Sequence, residues 1–168
     1  MICDEAFELI RRFEGLGDGD RVAPGLQPYL CPAGVWTIGY GATYDLDGRR
    51  VDKATPGIDE AQAVILMRRD IVHFATAVER LVKVQIHDLQ HGALTSFAFN
   101  LGAGALRCST LLKRINALDW DDVPRHFQRW VHCGGRSLPG LVRRRAAEAA
   151  LWERGRVLAQ RSGSPAVI

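Results

Sequence analysis

The sequence predicts an α+β fold that is mostly α, with two lobes joined by one long helix. Strand-forming residues broken by glycine occur together only in residues 35–51, while apolar residues at helical spacing fill most of the remaining chain. The 168 residues are 47% apolar and 24% charged, which is typical of a globular domain and excludes disordered and fibrous proteins. We expect a single domain over 1–168, with an N-terminal lobe over about 1–58, a connecting helix over 59–82 and a helical lobe over 83–168.

The N-terminal lobe is predicted to begin with a short amphipathic helix over residues 4–13, which carry acidic residues in the first turn. Its apolar residues at helical spacing are Ala6, Leu9, Ile10 and Phe13. The Gly, Asp and Pro content of residues 15–28 then indicates a loop. In residues 35–51, the pair Asp47-Gly48 is a turn signal, so we expect a small antiparallel sheet there.

The connecting helix is predicted to begin at Asp59, because Asp59 and Gln62 have the spacing of a capping box. Apolar residues then repeat every three or four positions to about Leu81. The helical lobe follows, with helices predicted over 88–100, 110–117, 121–131 and 139–155. Glycines at positions 102, 104, 134 and 135 separate these helices.

The net charge of +3 conceals an asymmetry along the chain. Residues 1–60 carry 6 basic and 11 acidic side chains, whereas residues 61–168 carry 16 basic and 8 acidic ones. A basic C-terminal half favours a polyanionic partner such as a nucleic acid, an anionic membrane surface or an acidic cell-wall polymer; solvated arginines on helices are the plain alternative. No stretch approaches the ~20 apolar residues of a membrane span, so no stable membrane insertion is expected.

The N-terminal sequence MICDEAFELI has acidic residues where a signal peptide needs a basic flank and an apolar run, so no secretion signal is predicted. The four cysteines form neither a CxxC pair nor a zinc-binding spacing with histidine. Their wide spacing favours free thiols in a reducing compartment. We therefore expect no metal and no cofactor. The cysteines are Cys3, Cys31, Cys108 and Cys133.

Three residues near the N-terminus have side chains that could carry out chemistry. Glu14 ends the first predicted helix, where a carboxyl group half shielded by Phe13 could act as a general acid, although most glutamates at helix ends are simply solvated. Cys31 and Thr37 lie before and within the predicted strand region. Their plain alternatives are a thiol packed in the core and a β-branched strand residue.

These residues fall in a recognisable pattern. Phe13-Glu14-Gly15, followed by YLCPAGVWTIGYG over residues 29–41, resembles the active-site region of the phage-type lysozymes, the endolysins of glycoside hydrolase family 24. The motif of that family is Glu, then Asp or Cys, five residues and Thr, and Cys31 and Thr37 match its second half.

The resemblance continues through the C-terminal half. Residues 93–102 (ALTSFAFNLG) and 109–112 (STLL) are similar to the central helix of the family and the turn after it. The segment from Phe127 to Glu148, with GGRSLPGLVRRR between, is similar to the C-terminal block. The matches run in the family's order from about residue 9 to residue 153.

The resemblance implies a lysozyme-like fold and muramidase activity, which is hydrolysis of the β-1,4 bond between N-acetylmuramic acid and N-acetylglucosamine in peptidoglycan. Glu14 would protonate the leaving glycosidic oxygen, while Cys31 and Thr37 would position or activate the attacking water. Related enzymes act with inversion, which requires room for a water between the two groups. We favour a water-directing role for Cys31; a thiolate base, a direct nucleophile and a spectator stay open.

The resemblance also indicates which residues contact the substrate, in a cleft between the lobes. Asn100 could donate to a sugar acetamide, or it could be a helix C-terminal cap. One of Arg143, Arg144 and Arg145 could support Glu14, and the sequence does not choose among them. The tryptophans are expected to pack in the core or at the edge of the cleft. The predicted substrate-binding residues are Tyr29, Asn100, Gly102 and Arg136.

Two departures from the family pattern affect the predicted site. Sixteen residues separate Glu14 from Cys31, where the family has about eight. We interpret the difference as an insertion within residues 17–28, which a surface loop tolerates at little entropic cost. Ala42 stands where relatives often carry a histidine after the strand glycine, so any contact of that histidine is absent or replaced.

Two other functions remain alternatives. A lytic transglycosylase cleaves the same bond without a water-activating carboxylate, and no aspartate stands at position 31. A non-catalytic cationic protein could bind the wall or a membrane through the arginine-rich helix at 141–156. Nucleic-acid binding is not expected, because the arginine run has no readout motif beside it.

The family implies where such a protein would act. A phage endolysin of this kind accumulates in the host cytoplasm and reaches the periplasm after a holin opens the inner membrane. The expected partner is the glycan strand of peptidoglycan, acted on by a monomer without a separate wall-binding module.

Overall fold

The computed structural model describes residues 2–17, 19, 23–31 and 33–161. It is mostly helical with two small antiparallel sheets, which confirms the predicted fold class. The elements are, in chain order, α1 (Asp4–Glu14), β1 (Tyr29–Leu30), β2 (Trp36–Thr37), α2 (Glu60–Leu81), α3 (Asp88–Leu101), α4 (Ala103–Cys108), α5 (Thr110–Asn116), α6 (Val123–Gln128), β3 (His132–Cys133), β4 (Arg136–Ser137) and α7 (Pro139–Arg161).

The chain divides into two compact units. One unit comprises Met1–Phe13 and Val72–Ile168, and the other comprises Glu14–Ile71. The division places most of α1 with the C-terminal helices and falls within α2. Among the described residues, no helix has both the length and the apolar content needed to span a bilayer.

The sheet of the smaller unit pairs β1 with β2. Tyr29 is opposite Thr37, and Leu30 is opposite Trp36. The sheet was expected within 35–51; instead, its first strand lies upstream, because a tight turn after β1 reverses the chain. Residues 38–50 contribute the isolated bridges Ile38–Ala42 and Tyr44–Arg50.

The beginning of α2 confirms the predicted capping box. The Asp59 carboxylate accepts from the Gln62 N–H at 2.7 Å, and the Gln62 side-chain oxygen accepts from the Asp59 N–H at 2.9 Å. Farther along the helix, Arg69 donates to the carbonyl oxygens of Asp45 and Tyr44 at 2.6 and 2.8 Å. These bonds hold the 44–50 turn against α2. The buried apolar residues of this unit are Ile38, Tyr40, Ala42, Val51, Ile58, Ala63, Leu66, Met67 and Ile71.

The larger unit is built around α3, which is buried over most of its length. Helix α7 packs against α3 and α6 and extends to Arg161, beyond the predicted end at 155. Three of its elements, helix α4 and strands β3 and β4, were not predicted. Helix α4 has only six residues, too few to show a periodic pattern, and Gly134-Gly135 forms the turn of the β3–β4 hairpin where the sequence indicated only a break between helices.

The tryptophans of the larger unit pack in its core, as expected. Trp152 is fully buried, and Trp120 and Trp130 pack against the same cluster. The Trp120 and Trp152 rings meet edge to face, with centroids 5.9 Å apart.

Candidate active site

Glu14 is the last residue of α1, and its side chain is half-buried. The helix ends there because Gly15 has φ +65°, the left-handed backbone that terminates helices. Three residues after Glu14, the Gly17 N–H donates to the Gly39 carbonyl oxygen at 3.0 Å. This bond ties the segment after Glu14 to the segment that follows Thr37.

Gly17 also lies directly against Tyr29 of β1. A Cβ added to Gly17 would stand 2.4 Å from two carbon atoms of the Tyr29 ring, closer than side-chain atoms come in proteins. With glycine at position 17, the end of the Tyr29 ring can lie directly beside the loop. Tyr29 is one of the predicted substrate-binding residues.

Thr37 lies in β2 opposite Tyr29, as its β-branched side chain favours. It is 4% exposed, and its hydroxyl donates to the Tyr29 carbonyl oxygen at 3.3 Å. The hydroxyl oxygen keeps its lone pairs for accepting a hydrogen bond.

Cys31 follows β1 directly and carries a half-buried free thiol. Its N–H donates to the Val35 carbonyl oxygen at 3.0 Å, and its own carbonyl oxygen accepts from the Gly34 N–H at 2.8 Å. The β1–β2 hairpin therefore brings Tyr29, Cys31 and Thr37 together.

The loop over residues 17–28, which the sequence spacing predicts to contain an insertion, lies partly outside the described residues, which omit 18 and 20–22. Its second half is tied to the rest of the smaller unit. Leu26 and Ile58 exchange backbone hydrogen bonds of 2.7 and 3.0 Å, and the Gln27 side chain donates to the Pro24 carbonyl oxygen at 2.7 Å.

The other predicted substrate-binding residues belong to the larger unit. Asn100 lies in the last turn of α3, whose C-cap is Gly102 with φ +86°. The cap is therefore Gly102, and the Asn100 side chain makes a different contact, described below. Arg136 lies on the exposed β4 strand, opposite Cys133.

The structure separates the three consecutive arginines of α7. Arg143 is exposed, whereas Arg144 and Arg145 are buried with Glu148. Arg145 Nη1 lies 3.0 Å from Glu148 Oε2, and Arg144 Nε donates to Glu148 Oε1 at 3.3 Å. Ser96 Oγ of α3 donates to the same Oε1 at 2.7 Å.

This buried cluster reaches two sequence-predicted regions. Arg145 Nη2 donates to Asn100 Oδ1 at 2.6 Å. The Arg144 guanidinium carbon lies 5.7 Å from the ring centroid of Phe13, the residue bonded to Glu14. Arg144 therefore supports the end of α1 through an aromatic contact.

Burial raises the pKa of the Glu148 carboxyl group, because a desolvated carboxylate is costly. The Arg145 guanidinium, the Ser96 hydrogen bond and the Arg144 guanidinium oppose this shift without cancelling it. The sequence motif of the C-terminal block includes Glu148, but the motif indicates no role for this residue. The available signal was spacing, because Arg144 and Arg145 precede Glu148 by four and three residues and so share a helix face with it.

No group of three or more histidine, cysteine, aspartate or glutamate side chains in the described part of the chain could hold a metal ion.

The chain is similar to known proteins. Residues 18–148 match the family model described as phage lysozyme. The chain is 36% identical over 156 residues to the endolysin of Acyrthosiphon pisum secondary endosymbiont phage 1, covering 90% of this chain and 97% of the relative.

Solved structures show the same relationship. The endolysin from Escherichia coli O157:H7 phage FAHEc1 superposes with a TM-score of 0.76 at 30% identity, over 90% of this chain and 92% of that one. The muramidase domain of SpmX from Asticaccaulis excentricus superposes with a TM-score of 0.71 at 31% identity, over 90% and 97%. The chain belongs to the phage lysozyme family and is a peptidoglycan-hydrolysing enzyme.

Proposed function

We propose that this enzyme is a muramidase that hydrolyses the β-1,4 bond between N-acetylmuramic acid and N-acetylglucosamine during host lysis. The observation that carries the proposal is the Gly17–Gly39 hydrogen bond of 3.0 Å, which links the segment after Glu14 to the hairpin bearing Cys31 and Thr37. The name of the related muramidase domain supports the same bond specificity.

Glu14 acts in this proposal as the general acid that protonates the leaving glycosidic oxygen. A carboxyl group at a helix end beside a glycine can approach a ligand without a following side chain in the way. Cys31 and Thr37 hold the attacking water. The Thr37 hydroxyl proton is directed to the Tyr29 carbonyl oxygen, so its lone pairs can accept from that water.

The decisive test compares Glu14→Gln with wild type on purified peptidoglycan. Loss of the general acid should lower the hydrolysis rate by about 10²–10⁴-fold. Glu8→Gln is a matched control, because Glu8 lies exposed on the same helix and pairs only loosely with Arg11 at 3.8 Å. Full activity of Glu14→Gln would show that the acid has been assigned to the wrong residue.

The chemical form of the products distinguishes hydrolysis from lytic transglycosylation. Hydrolysis gives reducing ends, whereas attack by the sugar's own hydroxyl gives 1,6-anhydro ends. The two kinds of product differ in mass by one water molecule, so mass spectrometry of the released fragments distinguishes them. We expect reducing ends, and anhydro ends would favour the transglycosylase instead.

A non-catalytic cationic protein makes a different prediction for the same variants. If the arginine-rich helix at 141–156 alone disrupted the wall or membrane, Glu14→Gln would kill permeabilised cells as well as wild type. We expect no killing above that of a buffer control.

We propose that the enzyme accumulates in the host cytoplasm as a monomer and reaches the wall after a holin opens the inner membrane. Expression in a Gram-negative host with and without a co-expressed holin tests the route. Lysis only with the holin supports it, whereas lysis without any holin would indicate another way out. Sedimentation of the purified enzyme checks the monomer.

A further inference from the structure

The amide of Asn100 is held in one orientation. Arg145 Nη2 donates to Asn100 Oδ1 at 2.6 Å, and a guanidinium group can only donate hydrogen bonds. The group facing Arg145 must therefore be the carbonyl oxygen, since the alternative amide orientation would place two donors against each other. The Asn100 NH2 group has no hydrogen-bond acceptor among the residues that the structure describes, so it is the part of the side chain that a ligand can use.

Arg145 is held in turn by buried groups. Its side chain is 0% exposed, and its Nη1 lies 3.0 Å from Oε2 of Glu148, which is also 0% exposed. Its guanidinium carbon stands 4.9 Å from the ring centroid of Phe97. The Nη1–Oε2 contact is an ion pair without hydrogen-bond geometry, so the carboxylate acts on the guanidinium group through its charge. Together with the ring, it restricts the direction in which Nη2 points.

Glu148 is itself fixed by Ser96 Oγ at 2.7 Å and Arg144 Nε at 3.3 Å. If its carboxylate were absent, Arg145 would lose the acidic oxygen that lies 3.0 Å from its Nη1, and both buried guanidinium groups would lose a negative charge that they now share. The Arg145 guanidinium group would then shift relative to Asn100.

We propose that Glu148 is a positioning residue: through Arg145, it holds the Asn100 amide with its NH2 group as the donor for the acetamide carbonyl oxygen of an N-acetylated sugar. The inference rests on the proposed muramidase function for its substrate class. Glu148 does not touch the sugar, and Asn100 is the residue that does.

Asn100→Asp is the most direct test, because the carboxylate keeps the bond to Arg145 but loses the NH2 donor. Binding of tri-N-acetylchitotriose is measured by titration calorimetry in a Glu14→Gln background, so that no turnover occurs. We expect about threefold to tenfold weaker binding with an unchanged melting temperature, as for loss of one neutral hydrogen bond. Unchanged affinity would overturn the assignment of Asn100 as donor.

Glu148→Gln tests the positioning role, with Glu153→Gln as its matched control. Glu153 lies on the same helix and pairs with Arg156 at 2.8 Å, away from this cluster. The readout is the side-chain amide resonance pair of Asn100 in a ¹H–¹⁵N NMR spectrum, identified by its disappearance in Asn100→Asp. We expect Glu148→Gln to shift this pair and weaken trimer binding about threefold to tenfold, and Glu153→Gln to change neither. An unmoved Asn100 resonance in Glu148→Gln would refute the proposal.

A double variant with both Asn100→Asp and Glu148→Gln distinguishes a positioning role of Glu148 from a general loss of structure. If Glu148 acts through Asn100, Glu148→Gln should weaken binding no further once Asn100 is aspartate, whereas independent effects would multiply. Should Glu148→Gln fail to fold, Ser96→Ala replaces it, because it removes one hydrogen bond to the same carboxylate. Failure of the proposed function appears separately, because Glu14→Gln would then hydrolyse peptidoglycan at the wild-type rate, whereas failure of the positioning role leaves Glu14→Gln inactive and the Asn100 resonance unmoved.

Discussion

Gly92 of α3 lies so close to Ala6 of α1 that a Cβ added to Gly92 would stand 2.4 Å from the Ala6 Cβ and 3.3 Å from Cys3 Sγ. The missing side chain at position 92 thus sets the separation of the two helices. Gly92→Ala should push them apart and destabilise the protein by about 1–3 kcal/mol, despite the better helix propensity of alanine. Urea unfolding followed by circular dichroism measures the change.

Gly104→Ala is the control for helix propensity alone. Gly104 lies in α4, and a Cβ there would meet no atom within 4 Å. This variant should gain up to about 1 kcal/mol. A Gly92→Ala protein as stable as Gly104→Ala would mean that α1 and α3 are not in tight contact.

The longer helices were predictable because each carries a local signal. The reciprocal Asp59 and Gln62 bonds follow directly from their spacing, and the apolar repeat after them extends to Leu81, where α2 ends. The partner of a short strand has no such signal. Strand β1 has two residues, and its pairing with β2 depends on the turn that follows Cys31.

The candidate site was only partly predictable for a similar reason. The sequence motif identifies Glu14, Cys31 and Thr37 as candidates, but the roles of the three arginines depend on which helix face packs inward. Burial distinguishes exposed Arg143 from buried Arg145, and the Asn100–Arg145 bond joins residues 45 positions apart. Sequence spacing cannot specify such a long-range contact, because it arises from packing of α7 on α3.

The first turn of α3 depends on an unusual cap. His87 Nδ1 accepts from the Leu89 N–H at 3.1 Å, while the Gln90 side-chain oxygen accepts from the His87 N–H at 2.9 Å. His87→Ala should lower the free energy of unfolding by about 1 kcal/mol, because it leaves a helix N–H without its acceptor. His87→Asn supplies another acceptor and should recover most of the loss. Equal stability of wild type and His87→Ala in thermal unfolding would show that the cap contributes nothing.

The Cys3 thiol should react with iodoacetamide more slowly than the thiols of Cys108 and Cys133. Burial raises its pKa, and the nearby carboxylates of Glu5 and Asp88 act in the same direction, so less reactive thiolate is present at a given pH. Cys108 and Cys133 are exposed. Mass spectrometry of the native protein at pH 8 should show Cys108 and Cys133 modified first; equal rates for all three would contradict this order.

The same shift affects stability. Because the folded-state pKa of Cys3 is raised, its contribution to stability is fully present below the ordinary thiol pKa and is lost as pH rises through the folded value. Cys3→Ala should therefore show a flatter decline of melting temperature at alkaline pH than wild type. A parallel decline in both proteins would mean that the thiol ionises equally in the folded and unfolded chains.

Variants of Cys31 distinguish the possible roles of its thiol within the proposed muramidase mechanism. If Cys31 directs the attacking water by hydrogen bonding, Cys31→Ser should keep peptidoglycan hydrolysis within about tenfold of wild type, because a hydroxyl group also donates and accepts. Cys31→Asp should be at least as active as wild type, since a carboxylate is a stronger base towards the same water than a hydrogen-bonding thiol is. Cys31→Ala should lose more than either.

Cys133→Ser is the matched control, because Cys133 carries an exposed thiol on the β3–β4 hairpin, and its replacement should leave the rate unchanged. Loss of activity in both Cys31→Ser and Cys31→Asp would instead indicate a thiolate nucleophile, which neither replacement reproduces with sulfur chemistry. Full activity in Cys31→Ala would leave Thr37 as the residue that holds the water, because its hydroxyl lies on the same hairpin, opposite Tyr29.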